Sequence, residues 1–332
     1  MSGRGLKVEK IIFKESNHWY DYVGNAIELV PYAKPRREGI CPACNNVTWT
    51  DVKKDKSTCK LCKAKIFVGN FEEIKGKEPG LSDARKYGLF PSISRMCSFG
   101  EMEFTLSAWA KDELIKWVMD NYREDRKEWM RIIQGGITDF ENRFSDPGSY
   151  VHGQIAKAMD GQPFDQSPTI LNVVAQIQDW VDETCLFNTE SEKGYCDPHI
   201  LGLGGCIDLN SDGVTADFKC KFNPETFEAL KAGKNRGYLE NAIKQLAGYR
   251  RISKRDDNRC FVIPVRVDEK HPDSGEICPI ELTEEELTWG LKAIKANAEA
   301  WFINKKHDPR EMYAQGLCKT KDEILTVKGE QK

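Results

Sequence analysis

The sequence predicts an α/β protein, a mixed sheet flanked by helices, with a small metal-stapled element near its N-terminus. Three observations support that expectation. Short segments rich in apolar and β-branched residues gather after Asp182, helical periods lie before and between them, and two tight cysteine pairs precede both. Helices, three strands, a helix and a further strand form the order of an α/β arrangement.

The elements follow in chain order. Glu, Lys, Gly and Pro crowd residues 70 to 83, a linker composition that puts a domain boundary near residue 80. Leu106, Trp109, Leu114, Ile115, Trp117, Val118, Trp129, Met130 and Ile133 recur at helical spacing and predict a long amphipathic helix over Glu103 to Gln134, its tryptophans turned inward. Two more helices are expected, Ser149 to Met159 and Pro168 to Asp182, the latter with Ile170, Val173, Val174, Ile177 and Trp180 on one face. Strands are expected at Thr184 to Phe187, Gly205 to Leu209, Val214 to Cys220 and Cys260 to Val267, with a helix from Arg236 to Arg251 between the third and fourth. Thr283 and Glu286 form a capping box that opens a last helix. The expected organisation is an N-terminal region over 1–80, a core domain over 81–320 and a flexible tail over 321–332.

Composition narrows the class. At 332 residues with 40% hydrophobic side chains, the chain can bury one large core and carry an appendage. A 30% charged fraction and a net charge of −3 exclude a uniformly basic nucleic-acid coat, so contact with phosphate must come from local patches. No run approaches the roughly 18 apolar residues that a membrane helix needs. The first twenty residues lack the apolar segment of a secretory signal, so a cytoplasmic location is expected.

In a reducing compartment, clustered cysteines read as metal ligands and scattered ones as small buried residues. Cys41, Cys44, Cys59 and Cys62 form two CxxC pairs separated by fourteen residues, the spacing of a four-cysteine zinc ribbon. Four sulfurs fill the tetrahedron of Zn²⁺ and leave no position for a reacting water, so the site is structural. The residues between the pairs, with Val47, Trp49 and Val52, are expected to form a hairpin. Lys34, Arg36, Arg37, Lys53, Lys54, Lys60, Lys63 and Lys65 surround the knuckles and offer either phosphate contacts or a solvated surface. The cysteines at 97, 185, 196, 206, 220, 260, 278 and 318 show no paired spacing and read as buried.

The chemistry concentrates in one hairpin. Gly204 through Lys219 read as two strands with Asn210 to Gly213 as their turn, so that Asp208 on one strand and Asp217 on the next can meet. Asp217 and Lys219 are two apart and project from one face. Two carboxylates suit a hard ion such as Mg²⁺ or Mn²⁺, and a lysine beside them can orient a water or offset charge on a phosphate. Asp212 falls in the turn, where Asp is favoured for backbone reasons.

Other motifs stand around that hairpin in order. Gly148-Ser-Tyr-Val-His152 lies upstream, Gly205-Cys-Ile-Asp208 and Asp217-Phe-Lys219 form the hairpin, and Gln245-Leu-Ala-Gly-Tyr249 lies downstream, with Gln245 and Tyr249 on one helix face. Pro91-Ser-Ile-Ser94 leads in. The set resembles the RecB-like branch of the PD-(D/E)xK nuclease superfamily, which includes phage and mitochondrial genome-maintenance exonucleases, over roughly residues 88 to 305. The resemblance implies a restriction-endonuclease-like core and a Mg²⁺- or Mn²⁺-dependent deoxyribonuclease, more an exonuclease than an endonuclease.

By the same resemblance, His152, Asp208, Asp217 and the Phe218 backbone carbonyl would hold one or two ions. Lys219 would activate water, and Gln245 and Tyr249 would hold DNA or steady the lysine. The implied partner is DNA, with replication or recombination proteins beside it, in recombination, repair or replication and in a phage setting. Lys221, Lys244, Arg250, Arg251, Lys254 and Arg255 are candidate phosphate contacts. Two readings compete with this one: a non-catalytic binding protein whose zinc ribbon grips nucleic acid or a partner, and a nuclease directed at RNA.

Overall fold

A computed structural model of the chain describes residues 19–31, 36–43, 47–51, 56–59, 62–67, 72–74, 76–97, 99, 150–184, 186–220, 224–267 and 275–326. The long helix expected over 103–134, with its tryptophans, lies outside the described residues, as do Cys44 and Cys185. The strands in chain order are β1 (Trp19–Tyr20), β2 (Arg36–Ile40), β3 (Val47–Asp51), β4 (Lys56–Thr58), β5 (Lys65–Phe67), β6 (Glu72–Ile74), β7 (Phe90–Pro91), β8 (Phe187–Asp197), β9 (Leu203–Asp212), β10 (Val214–Lys219), β11 (Arg259–Arg266), β12 (Glu276–Ile277) and β13 (Ile280–Glu281).

The main sheet is mixed. Its order is β12-β11-β10-β9-β8, with β13 also paired to β11. β10 and β11 run parallel and the other pairs antiparallel. A parallel neighbour requires a crossover. Here the helix Pro224–Lys231, a 3₁₀ turn at Arg236–Leu239 and the helix Glu240–Ile252 supply it.

β11 explains why the sheet has helices on both faces. Phe261, Ile263 and Val265 pack with Ile170, Val173 and Ile177 of the helix Pro168–Glu183, and with Val151 and Ile155 of the helix at 150–159. Cys260 and Val262 pack on the other face with Leu246 and Ala247 of Glu240–Ile252 and Leu287 of the helix Glu284–Lys305. Period-2 alternation with both faces apolar gives the near-continuous hydrophobic run of a central strand. The capping box at Thr283 is formed, with the Thr283 hydroxyl accepting from the Glu286 N–H. No helix among the described residues is long and apolar enough to cross a membrane.

Several expectations change. The strand expected at Thr184 to Phe187 instead begins at Phe187 and runs to Asp197. The hairpin turn is tighter than Asn210 to Gly213: Val214 pairs with Ser211, leaving only Asp212 and Gly213 between these paired residues, and Gly213 takes the positive φ of +88° that favours glycine. Asn210 stays extended because Thr215 donates to its Oδ1 at 2.9 Å, and Asn258 donates to the Ser211 carbonyl at 3.0 Å. Asp212 is in the turn as expected, paired with Arg255.

The chain before residue 80 is not all outside the core. β1 pairs with β7, and Trp19, Ile27 and Val30 are buried with Leu89, Ile93, Ile294 and Trp301. β4 pairs with β5 in a two-stranded sheet, while β3 pairs with β2, so among the described residues β3 and β4 do not pair with each other as the expected hairpin requires. At the other end, the expected flexible tail begins too early. Lys321–Thr326 is a helix, and Ile324 is fully buried in the same cluster as Trp19 and Trp301. Ile324→Ala is therefore expected to cost about 2–5 kcal/mol of unfolding free energy in urea titration, the range for deleting a buried branched side chain.

Candidate active site

The ladder between β9 and β10 runs Val214↔Ser211, Thr215↔Asn210, Ala216↔Leu209 and stops. One step further would set Asp217 directly against Asp208. Opposed like charges repel, and at that point the Phe218 N–H donates to Asp208 Oδ2 at 2.7 Å in place of a backbone carbonyl. The splay is thus closed by a carboxylate.

Asp217 and Lys219 project together, as their spacing requires, and the Lys219 ammonium lies 2.6 Å from Asp217 Oδ2. Lys219 also donates to Gln245 Oε1 at 2.9 Å, and Gln245 Nε2 donates to the Tyr249 hydroxyl at 2.7 Å. Both partners sit one turn apart on Glu240–Ile252. Tyr249 is buried under β9, and a Cβ on Gly205 would come within 2.6 Å of its ring. The absence of a side chain at the strand residue Gly205 makes room for the ring.

His152 comes from the helix at 150–159. Its Nδ1 lies 3.5 Å from Asp208 Oδ2, and its ring meets the edge of Phe218 at a centroid distance of 6.1 Å. The Phe218 side chain is buried between the sheet and that helix. Every residue expected at the centre therefore lies around one point: His152, Asp208, Asp217, Lys219, Gln245 and Tyr249, with the Phe218 backbone between the two ends of the hairpin.

One member was not anticipated. Glu192 of β8 offers a carboxylate oxygen that lies, with a ring nitrogen of His152 and an oxygen of Asp208, in a group whose atoms are all within 4.8 Å of one another. The Cys206 thiol donates to Glu192 Oε2 at 3.3 Å. Glu192 could have been found only by aligning β8 on β9, and Phe187–Asp197 is too polar to announce a strand.

The electrostatics are those of a crowded acidic centre. Burial pushes the Asp208 carboxyl up to about 6, against the pull of Lys219 and the Phe218 N–H. Burial also pushes Asp217 up to about 6, with Lys219 opposing and Asp208 adding to the rise. Surrounding protein and then Asp208 push Glu192 up to about 7, although its side chain reaches solvent. For Lys219 burial works downward, but Asp217 and Asp208 outweigh it and hold the ammonium charged. Burial raises the Tyr249 hydroxyl, which stays protonated while it accepts from Gln245.

The donor set fits a hard divalent cation. Asp217 Oδ2 is buried, with the Lys219 ammonium 2.6 Å away. A buried carboxylate beside a second carboxylate and an imidazole has the makeup of a cation ligand.

The basic residues expected to meet phosphate are mostly committed elsewhere. Lys244 is buried and donates to the Cys97 carbonyl at 3.3 Å, Arg250 pairs with Glu284, Arg251 with Asp256 and Arg255 with Asp212. These contacts brace helix ends and turns. Lys221 lies outside the described residues, and Lys254 takes a positive φ of 58° just past the helix.

At the N-terminal cysteines, Cys41, Cys59 and Cys62 bring their sulfurs within 4.8 Å of one another. Cys41 Sγ and Cys62 Sγ are 3.7 Å apart, close to the roughly 3.8 Å between sulfurs bound at 2.3 Å on a tetrahedral ion. Lys63, with φ of 62°, turns the chain after the knuckle, and the Cys59 N–H donates to the Ala64 carbonyl at 2.9 Å. Of the scattered cysteines, Cys97 and Cys260 are buried as expected, and Cys196, Cys206, Cys220, Cys278 and Cys318 are half-buried.

No protein-family model matches the chain, and no curated protein matches it. Among solved structures it is similar to an alkaline exonuclease from Laribacter hongkongensis, at 16% identity over 60% of this chain and 90% of that one, with a TM-score of 0.29. The complex of that exonuclease with dAMP matches at 15% identity over 52% and 89%, with a TM-score of 0.29. A candidate exonuclease from Eubacterium rectale matches at 12% identity over 69% and 85%, with a TM-score of 0.36. Likeness at this level carries no argument about the site.

The raised carboxyls have a measurable consequence. A carboxyl whose pKa moves from 3.8 to about 6 makes the folded state bind more protons than the unfolded one in between, so its contribution to stability falls as pH rises across that range. In EDTA, Asp217→Asn is expected to raise unfolding free energy by about 1–3 kcal/mol near pH 7.5 and to give no gain below about pH 4, read from urea melts at the two pH values.

Proposed function

We propose that the chain is a metal-dependent nuclease that hydrolyses phosphodiester bonds in DNA, acting from an end. The observation that carries this reading is the Lys219 ammonium placed between Asp217 Oδ2 at 2.6 Å and Gln245 Oε1 at 2.9 Å, beside Asp208 and His152. A lysine steadied by a glutamine and flanked by two acids matches what phosphoryl chemistry asks for: ligands for a cation, an ammonium for developing negative charge, and a fixed geometry for both.

Asp208, Asp217, His152 and the Phe218 carbonyl would hold Mg²⁺ or Mn²⁺. A divalent cation there supplies concentrated positive charge that polarises the scissile phosphate and acidifies water. Lys219, held protonated by its two carboxylates, orients the attacking water through its N–H groups and offsets charge on the phosphate oxygens. Gln245 and Tyr249 keep the ammonium from turning away along β10. On this reading the protein works in the cytoplasm on DNA during recombination, repair or replication. The preference for an end rests on the motif resemblance alone.

Linear and covalently closed circular DNA, incubated with Mg²⁺ or with EDTA, test the reading. Cleavage of the linear form alone, only with Mg²⁺, is expected. Lys219→Ala and Asp217→Ala should each lower the rate by at least about 100-fold, the scale for removing one charge-stabilising group, with the far-ultraviolet dichroism unchanged. Unchanged turnover in either variant sinks the assignment, and cleavage of RNA in preference to DNA redirects the substrate.

The cysteine cluster supports a second proposal, a structural Zn²⁺ held by Cys41, Cys44, Cys59 and Cys62. Three of these sulfurs lie within 4.8 Å of one another, and the 3.7 Å between Cys41 and Cys62 is close to the spacing of two ligands on a tetrahedral ion. Purified protein is expected to carry one zinc per chain by atomic absorption, and Cys59→Ser to lose it while Lys219→Ala keeps it.

A further inference from the structure

The helix Glu284–Lys305 turns one face to the core and leaves the opposite face to solvent. Leu287, Gly290, Ile294, Ala298, Trp301 and Phe302 are buried. A rotation of about 100° per residue puts Trp289, Ala296, Ala300 and Ile303 on the other side, within about 60° of one another. All four are exposed, Trp289 at 43% and Ile303 at 78%. A helix that only covers a core carries polar residues on its outer side. Here a tryptophan and an isoleucine mark the two ends of that side, with alanines between them. The Lys244 ammonium lies 5.8 Å from the Trp289 ring centroid, a cation–π contact that favours one position of the indole.

Charge along the same face is ordered. Glu284, Glu285 and Glu286 occupy the first turn, and Lys305 and Lys306 close the helix. Glu284 and Glu286 are committed to Arg250 and Arg236. Glu285, Lys292 and Lys306 are exposed and join no ion pair among the described residues. A second copy of the helix laid antiparallel, with the two-fold axis at Ala296, sets Trp289 against Ile303 of the second copy. Lys292 then falls beside the second copy's Glu299, and Glu285 beside its Lys306, all on one flank. Glu299 also pairs with Arg310, yet its side chain stays 54% exposed. A parallel pair would instead bring Glu285 to Glu285 and Lys306 to Lys306, and like charges so placed repel. Antiparallel helix dipoles favour the same choice.

We propose that this outer face is a contact between two copies of the chain, an isologous antiparallel pair of the helix Glu284–Lys305. Ala296 and Ala300 let the two axes approach to about 8 Å, and Trp289 packs on Ile303 at both ends of the contact. One helix pair falls below the roughly 1,200 Å² of a standard interface, so the dimer is a weak one that forms at roughly tens of micromolar. The contact uses no residue of the acidic centre. The buried side of the same helix packs on Glu240–Ile252, where a Cβ on Gly290 would come within 2.8 Å of the Ile243 carbonyl. The pair therefore backs the element that carries Gln245.

The test is sedimentation equilibrium of the full chain between about 1 and about 200 µM, without metal or nucleic acid, so that its outcome is independent of the reaction. The mass is expected to rise from 37.8 kDa towards twice that value. Ala296→Arg sets two guanidinium groups against each other at the axis and should weaken association at least about tenfold with the melting temperature unchanged. Ile303→Asp, at a position open to solvent, should do the same and serves where Ala296→Arg disturbs the helix. Glu285→Lys should weaken association about threefold, and Lys306→Glu in the same chain should restore it, since opposite charges then face each other again. Leu171→Asp, an exposed apolar residue on the helix Pro168–Glu183, should keep the wild-type value. A wild-type chain that stays monomeric throughout overturns the proposal and leaves the face to a different partner. Association untouched by both Ala296→Arg and Ile303→Asp overturns it as well, and places the contact elsewhere.

Discussion

The contact on which the centre depends is the hydrogen bond from the Phe218 N–H to Asp208. It lets β9 and β10 separate after Ala216↔Leu209 without leaving a buried amide unsatisfied, a loss that would cost roughly 1–3 kcal/mol. The separation gives Asp208 and Asp217 adjacent but not touching positions. It also fixes Asp208 by its backbone partner, so that the carboxylate is held in place before any ligand arrives. Lys219, two residues beyond Asp217, then falls within reach of the helix Glu240–Ile252, and Gln245 takes up its second contact.

The polar groups beneath the site are satisfied as a network. Thr215 donates to Asn210 and accepts from Asn258, Asn258 also donates to the Ser211 carbonyl, and the Gly213 N–H donates to Asn258. These bonds hold the closed end of the hairpin rigid, which matters because the open end carries the charges. Buried polar networks of this kind favour a single arrangement when every member is paired. The strain of gathering acids is met at one end by the network and at the other by Lys219.

Much of this was legible in the amino-acid order because it is local. Asp208, Asp217 and Lys219 lie on one hairpin, and Gln245 with Tyr249 on one helix turn, so spacing alone places each pair. The apolar alternation of β11 and the Thr283 cap were readable for the same reason. Glu192 was not, since its position depends on a register set beyond the loop after Asp197, on a strand whose polar sequence carries no periodic signal. Asn210 and Ser211 looked like turn residues and are strand residues, because partners at Thr215 and Asn258 compensate their low strand preference. Trp19 and Ile324 join one cluster from opposite ends of the chain, a tertiary event with no local trace.

The parallel pairing of β10 with β11 reaches from Lys219 across the crossover to Pro264. Contacts of such sequence separation form late in folding, since loop closure must precede any gain from them. Gln245, carried on that crossover, meets Lys219 only once the intervening chain has been made and folded back. A partly synthesised chain that has exposed the hairpin therefore holds its two acids with an unanchored lysine. The order of synthesis itself keeps the acidic centre incomplete until the helix Glu240–Ile252 has emerged.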